Sequence, residues 1–289
     1  METNKGLEYY AQEIFLRNQD DTGCVSLIQR SSSEEALTLA QIDVLKDHPE
    51  ATEVWIGSLT QETFEYFVDT YGQQFRVIHF WKCPLITDFS RLERLTQVEY
   101  LLFFWNQRVS HLWDLSRNVN LKGISFDDFT RLRTLEEIPL APKLEELYFG
   151  DRIWNAFVAE SLKPLARAEK LRSLRFTALR IVDNDITPLA EIPHLEVLEF
   201  PPKLFTIEQV AWLTSKLPHV RSSVLCPYLR LNSPFDHEGI LKDVLVIGKG
   251  KPFLNSYVDQ DRLEKYETQF STLVKQYTQE PAMQLGTQS

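Results

Sequence analysis

Cys83 and His79 stand four residues apart, and a thiol beside an imidazole raises the question of a base-activated thiolate nucleophile. Asp236, His237, Glu238 and Asp243 bring carboxylates and an imidazole into one short stretch. Those are metal-binding side chains, but they stand at no recognised ligand spacing, and a solvated loop explains them. GKGKP from Gly248 lacks the GK[ST] ending and the glycine spacing of a phosphate-binding loop, and reads as a turn. No G-x-S-x-G or HExxH occurs. Cys24, Cys83 and Cys226 contain no CxxC pair, and their number is odd. No catalytic residue, metal site or cofactor is assigned on these grounds, and an enzyme is not expected.

The elements that must position these residues come from a repeat. The frame Φ-x-x-Φ-x-Φ, with Φ apolar, fits FRVIHF from Phe75, VEYLLF from Val98, LKGISF from Leu121, LEELYF from Leu144, LRSLRF from Leu171 and LEVLEF from Leu195. Looser copies are ATEVWI from Ala51 and VRSSVL from Val220, and the start-to-start spacings are 24, 23, 23, 23, 27, 24 and 25 residues. Nine and six residues before each frame lies a second apolar pair: Ile42/Leu45, Phe89/Leu92, Leu112/Leu115, Leu135/Ile138, Leu162/Leu165 and Ile186/Leu189. Period three suits a 3₁₀ or extended return, and period two suits a strand. Such a coil buries nothing alone, but stacked coils share one core under a parallel sheet.

DITPLAEIPHLEVLEF (185–200) and SLKPLARAEKLRSLRF (161–176) resemble internalin-type leucine-rich repeats, over about residues 42–225. The resemblance implies an α/β leucine-rich-repeat solenoid: a curved parallel sheet on the concave face, irregular or 3₁₀ returns, and a cap at each end. It also implies Asn or Cys at the ninth position of each frame. Here that position holds Leu59, Cys83, Asn106, Phe129, Arg152, Leu179 and Lys203. Most of the amide ladder is therefore expected to be missing, with irregular loops bonded by water or backbone. Cys83 falls where the family buries its Cys, while His79 points outward, which separates that pair.

The expected organisation is an N-terminal cap over 1–50, about eight coils over 51–225, a strand and helix cap over 226–278, and a disordered tail over 279–289. The first cap holds the apolar runs EIFL and CVSLI, a strand, and a short helix capped by Ser33 before Pro49. Thr206 caps a helix to Leu217 with Glu208 in its first turn, DVLVIGKGKPFL reads as strand and turn, and Leu263, Tyr266, Phe270, Leu273, Val274 and Tyr277 form one helical stripe. The chain of 289 residues has net charge −10, which opposes nucleic acid and anionic lipid. No apolar run approaches the roughly 20 residues of a membrane span. The first residues lack a basic and an apolar signal region. Neither nucleic acid nor membrane is expected as a partner. A monomeric cytoplasmic protein with unpaired thiols is expected.

In each frame positions 1, 4 and 6 face the core, and 3, 5 and 7 the concave side. Trp55, Val77, His79, Trp81, Tyr100, Leu102 and Phe104 then form one patch across three strands, with Trp105 at its rim and Tyr148 as an outlier. A patch of this kind is a hot spot for binding another protein, unless residues 1–30 or 227–257 fold over it. The row Glu146, Arg172, Arg175, Glu196 and Glu199 reads as a solvated face. The expected function is a non-enzymatic protein-interaction module, an adaptor, inhibitor or immunity-type partner, with Trp55, His79, Trp81, Tyr100, Leu102, Phe104 and Tyr148 as the binding residues. The alternatives are a permanent subunit of a larger complex, or an enzyme with its site in 226–278.

Overall fold

A computed structural model describes residues 5–12, 23–28, 36–153 and 157–279. It divides into two compact units, Met1–Pro188 with Ile192–Leu195, and Leu189–Glu191 with Glu196–Ser289. In chain order the elements are α1 (Leu7–Tyr10), β1 (Cys24–Leu27), α2 (Leu39–Ile42), β2 (Glu53–Gly57), α3 (Gln61–Thr70), β3 (Val77–Trp81), β4 (Tyr100–Asn106), β5 (Gly123–Phe129), β6 (Glu146–Gly150), β7 (Val158–Ala159), β8 (Ser173–Thr177) and β9 (Arg180–Ile181). They continue with α4 (Thr187–Ala190), β10 (Val197–Glu199), α5 (Ile207–Lys216), β11 (Tyr228–His237), β12 (Ile240–Val246), β13 (Phe253–Leu254) and α6 (Gln260–Gln279).

In the first unit seven strands run parallel in the order β1-β2-β3-β4-β5-β6-β8. From β2 onward the register never slips: Trp55 lies opposite His79, then Leu102, Ser125, Tyr148 and Arg175 follow strand by strand. Leu121, Ile124, Phe126, Leu144, Leu147, Phe149, Leu171, Leu174 and Phe176 are all buried, as the frame requires. Position 6 stacks its rings coil on coil, with Phe126–Phe149 and Phe149–Phe176 centroids 5.6 and 5.2 Å apart. Tight 3₁₀ returns at Ser90–Arg94, Leu115–Arg117, Ile138–Leu140 and Lys163–Arg167 carry the second apolar series to the core.

One coil returns differently. α3 is a ten-residue α-helix whose Thr60 N-cap accepts from Thr63 N–H in a capping box, and it buries Phe64, Phe67 and Val68. The signal was legible, because a Thr-x-x-Thr pair precedes apolar residues at i, i+3 and i+4. The short N-terminal helix is also present, but its cap is Thr38, boxed with Gln41. Ser33, the EIFL run and the tail after Gln279 lie outside the described residues.

The turns after the strands share one device. Position 8 of four successive frames, Ser58, Lys82, Trp105 and Asp128, has φ between 50 and 63°. That left-handed conformation costs a side-chain-bearing residue roughly 1 kcal/mol. Asn106 is the expected ladder amide: its Nδ2 donates to the carbonyls of Cys83 and Ile86, and its Oδ1 accepts from Arg108 and Val109 N–H. At the next two turns carboxylates take part as well: Asp128 Oδ1 accepts from the Arg152 and Ile153 amides, and Asp151 Oδ2 from Phe157 N–H, so carboxylates one position earlier take over the accepting half of the ladder amide's role.

In the second unit Val197 forms a parallel bridge with Arg221. α5 starts at the expected Thr206, boxed with Gln209. β11, β12 and β13 form an antiparallel sheet. Asp236 and His237 end β11 rather than lying in a loop, and Glu238 and Gly239 make the two-residue turn with φ of 55 and 78°. The expected stripe on α6 buries Leu263 and Phe270, with Leu263 joining Val244, Val246 and Leu254.

Candidate functional site

The alternating pleat of β2 to β5 sends positions 3, 5 and 7 to the outward sheet face, and there the expected residues meet. Trp55 and His79 stack with centroids 3.9 Å apart and planes 12° from parallel. Glu53 ties them together: Trp55 Nε1 donates to its Oε1 at 3.1 Å, and His79 Nε2 lies 3.0 Å from the same oxygen. Trp81 adjoins Trp55 at 5.9 Å and Phe104 at 4.5 Å. Glu53 was not among the expected site residues. Its signal was an acid two positions from a tryptophan on the same strand face.

Of the two expected states of the patch, open or covered by a terminal segment, the described residues show cover at one end. Trp55, His79, Tyr100 and Leu102 are buried, with 4, 3, 7 and 7% of their surface exposed. Trp81, Phe104 and Tyr148 are half-buried. The physical reason at one end is a cover from this chain itself. Leu7 packs into a cluster with Val77, Tyr100 and Leu102, and Tyr10, Ala11 and Tyr148 lie against it. The Tyr10 and Tyr100 rings are 4.9 Å apart. The charged row is corrected. Glu146 is half-buried, and both its carboxylate oxygens accept from the Leu7 N–H at 3.1 Å. Burial raises its pKa, and that hydrogen bond opposes the rise. Arg175 pairs with Glu8 at 2.9 Å.

Beyond the cover, position 7 runs Trp81, Phe104 and Asp127 on neighbouring strands. Burial pushes the Asp127 carboxyl up to about 6, with the Arg152 guanidinium pulling it back. Arg152 Nε lies 2.8 Å from Asp127 Oδ2. Trp81, Phe104, Asp127, Arg152 and Tyr10 line a small, shallow hollow with Trp55. The arrangement sets half-buried rings beside a paired charge.

Cys83 faces away from this site. Its thiol donates to the Trp81 carbonyl at 3.6 Å, and burial pushes it up to about 12. It therefore holds its proton at neutral pH, and His79 is engaged by Glu53 instead. No disulfide joins Cys24, Cys83 and Cys226. Asp243, considered above for chemistry, accepts from both the N–H and the hydroxyl of Ser256. Among the described residues no group of three or more His, Cys, Asp and Glu side chains is placed to hold a metal ion. No helix among them is long and apolar enough to cross a membrane.

Coils of strand, left-handed turn and 3₁₀ return, registered on a parallel ladder, define an α/β leucine-rich-repeat solenoid. Among solved structures the chain is similar to an internalin (inlF) of Listeria monocytogenes, at 14% identity and TM-score 0.43 over 64% of this chain and 56% of that one. It is similar to an internalin C2 of the same organism at 18% identity and TM-score 0.45, over 62% of this chain and 73% of that one. A leucine-rich-repeat protein of Leptospira interrogans matches at 12% identity and TM-score 0.40, over 65% of this chain and 50% of that one. The chain thus spans little more than half the length of the first. No family model matches the chain, and no curated protein matches it.

Proposed function

We propose that this chain is a non-enzymatic protein-interaction module, and that its partner docks on the outward sheet face where Trp81 and Phe104 remain half-exposed. The observation that carries this reading is the pairing of those two rings at 4.5 Å, backed by the buried Trp55–His79 stack. A rigid platform of this kind gives a partner's apolar side chain a large contact area while few rotamers are lost on binding. Truncating a true anchor costs about 2 kcal/mol or more in binding.

The test is partner capture from native lysate by wild type beside a Trp81→Ala/Phe104→Ala variant, with captured proteins identified by mass spectrometry and both baits melted. Loss of a specific captured protein with a melting midpoint within a few degrees of wild type supports the reading. Equal capture by both baits refutes it.

A further inference from the structure

Residues 5–12 sit on the sheet as a bound peptide would. Among the described residues, their backbone–backbone hydrogen bonds all close within the segment: Tyr9 and Tyr10 N–H to Gly6, Ala11 to Leu7, Gln12 to Tyr9. Nothing there continues the strand ladder. The segment is held to the sheet through side chains. Leu7 has no exposed surface, its N–H is taken by the Glu146 carboxylate, Glu8 pairs with Arg175, and Tyr10 lies on Tyr100. A helix of four residues is far below the length that is stable in water, so α1 takes its shape from the surface it lies on.

That surface has a seat for it. Position 3 reads Val77, Tyr100, Gly123 and Glu146 along β3 to β6, and the single glycine interrupts a row of side chains. A Cβ on Gly123 would come within 2.5 Å of the Tyr100 ring and 3.4 Å of the Leu7 Cβ. The glycine therefore floors a pocket that Leu7 fills. The incoming segment is matched in turn, since a Cβ on Gly6 would meet the Glu146 carboxylate at 2.8 Å. The site thus reads a sequence: glycine, then an apolar anchor, then an acid, with an aromatic residue three after the anchor.

We infer that the Gly123 pocket is a recognition site for a short peptide of another protein carrying a Gly-Φ-acid-x-aromatic pattern, and that Lys5–Gln12 is a resident copy of that ligand which the partner displaces. The inference rests on the outward face being the binding surface and adds the chemistry of the partner and a built-in competitor. A tethered segment competes at the high effective concentration of an intramolecular ligand. A free peptide gains access only when the segment is weakened, and its apparent affinity follows the fraction of open sites.

The probe is a fluorescein-labelled peptide of the sequence KGLEYYAQ, titrated into the purified full chain and followed by anisotropy. Leu7→Asp should bind it with at least a tenfold lower Kd than wild type. Glu8→Arg, at a side chain two-thirds exposed, should move the Kd the same way and leave the fold intact. Adding Arg175→Glu to Leu7→Asp should weaken binding at least tenfold, and a peptide with Arg in place of its Glu should restore it. The inference is overturned if neither Leu7→Asp nor Glu8→Arg takes up peptide, or if the charge exchange restores nothing. It is also overturned if wild type sediments as a dimer that Leu7→Asp dissolves, because the ligand would then be a second copy. The titration uses no cellular partner. Its failure beside a Trp81→Ala/Phe104→Ala variant that still loses capture removes the pocket and leaves the docking face.

Discussion

Leu7 and Leu147 both have no exposed surface, and they lie on opposite faces of the same sheet. Leu147 is registered between Ile124 and Leu174 on the core side, where every coil shields its neighbours. Leu7 is covered by a handful of side chains under a four-residue helix. Burial by stacking is shared along the solenoid and is lost only with the fold. Burial under one short segment is lost whenever that segment opens, at a free energy well below that of global unfolding.

The comparison breaks most visibly under truncation. Leu147→Ala should cost ~2–5 kcal/mol in denaturant unfolding, while Leu7→Ala should cost less than about 1 kcal/mol of global stability. Equal losses would make α1 part of the core. Polar groups sharpen the same contrast. Asn106→Ala strands the buried carbonyls of Cys83 and Ile86 and should cost about 2–3 kcal/mol. Asn120, half-buried, reaches the Thr96 carbonyl through a solvent-exposed hydrogen bond and should change stability by less than about 1 kcal/mol on the same substitution.

Asp127 tests the outward face by pH. Burial pushes its folded carboxyl up to about 6, above the ordinary value of 3.8, so between the two the folded state holds a proton that the unfolded chain has released. Its contribution to stability is therefore fully present below about pH 4 and is lost as pH rises through 6. Asp127→Asn should remove that fall, gaining about 1–2 kcal/mol at pH 7 relative to its effect at pH 4. Parallel melting curves for wild type and variant across this range would contradict it. Trp81→Ala, at a half-buried ring, should cost about 1 kcal/mol in stability; a drop above about 3 kcal/mol would place that ring in the core.

The inward face was legible because apolar period and burial coincide there: Leu121, Ile124 and Phe126 read alike in sequence and structure. The outward face was legible only in direction. Position 5 identified Trp55, His79 and Leu102 as neighbours, since register follows from equal spacing. Their burial was legible only as an alternative, cover by residues 1–30 or 227–257, because nothing in a strand's own pattern says what else lies on it. Leu7 and Tyr10 carry no repeat phase, and Glu146 looked like any charged strand residue until its partner was a backbone N–H. α3 was missed because a 3₁₀ period was expected in every return, while its capping box pointed to a helix.

The three side chains Trp81, Phe104 and Asp127 lie between Gly57 and Gly150 on the flanking strands. Neither glycine tolerates a side chain: a Cβ would fall 2.7 Å from the Trp81 carbonyl oxygen at Gly57, and 1.9 Å from that of Thr177 at Gly150. The stripe is therefore three strands wide, about 10 Å from its first member to its last. That is the diameter of a single α-helix with its side chains. The backbone itself sets a gauge on this face: two positions that admit no side chain bound a ring-bearing stripe as wide as one rod of polypeptide.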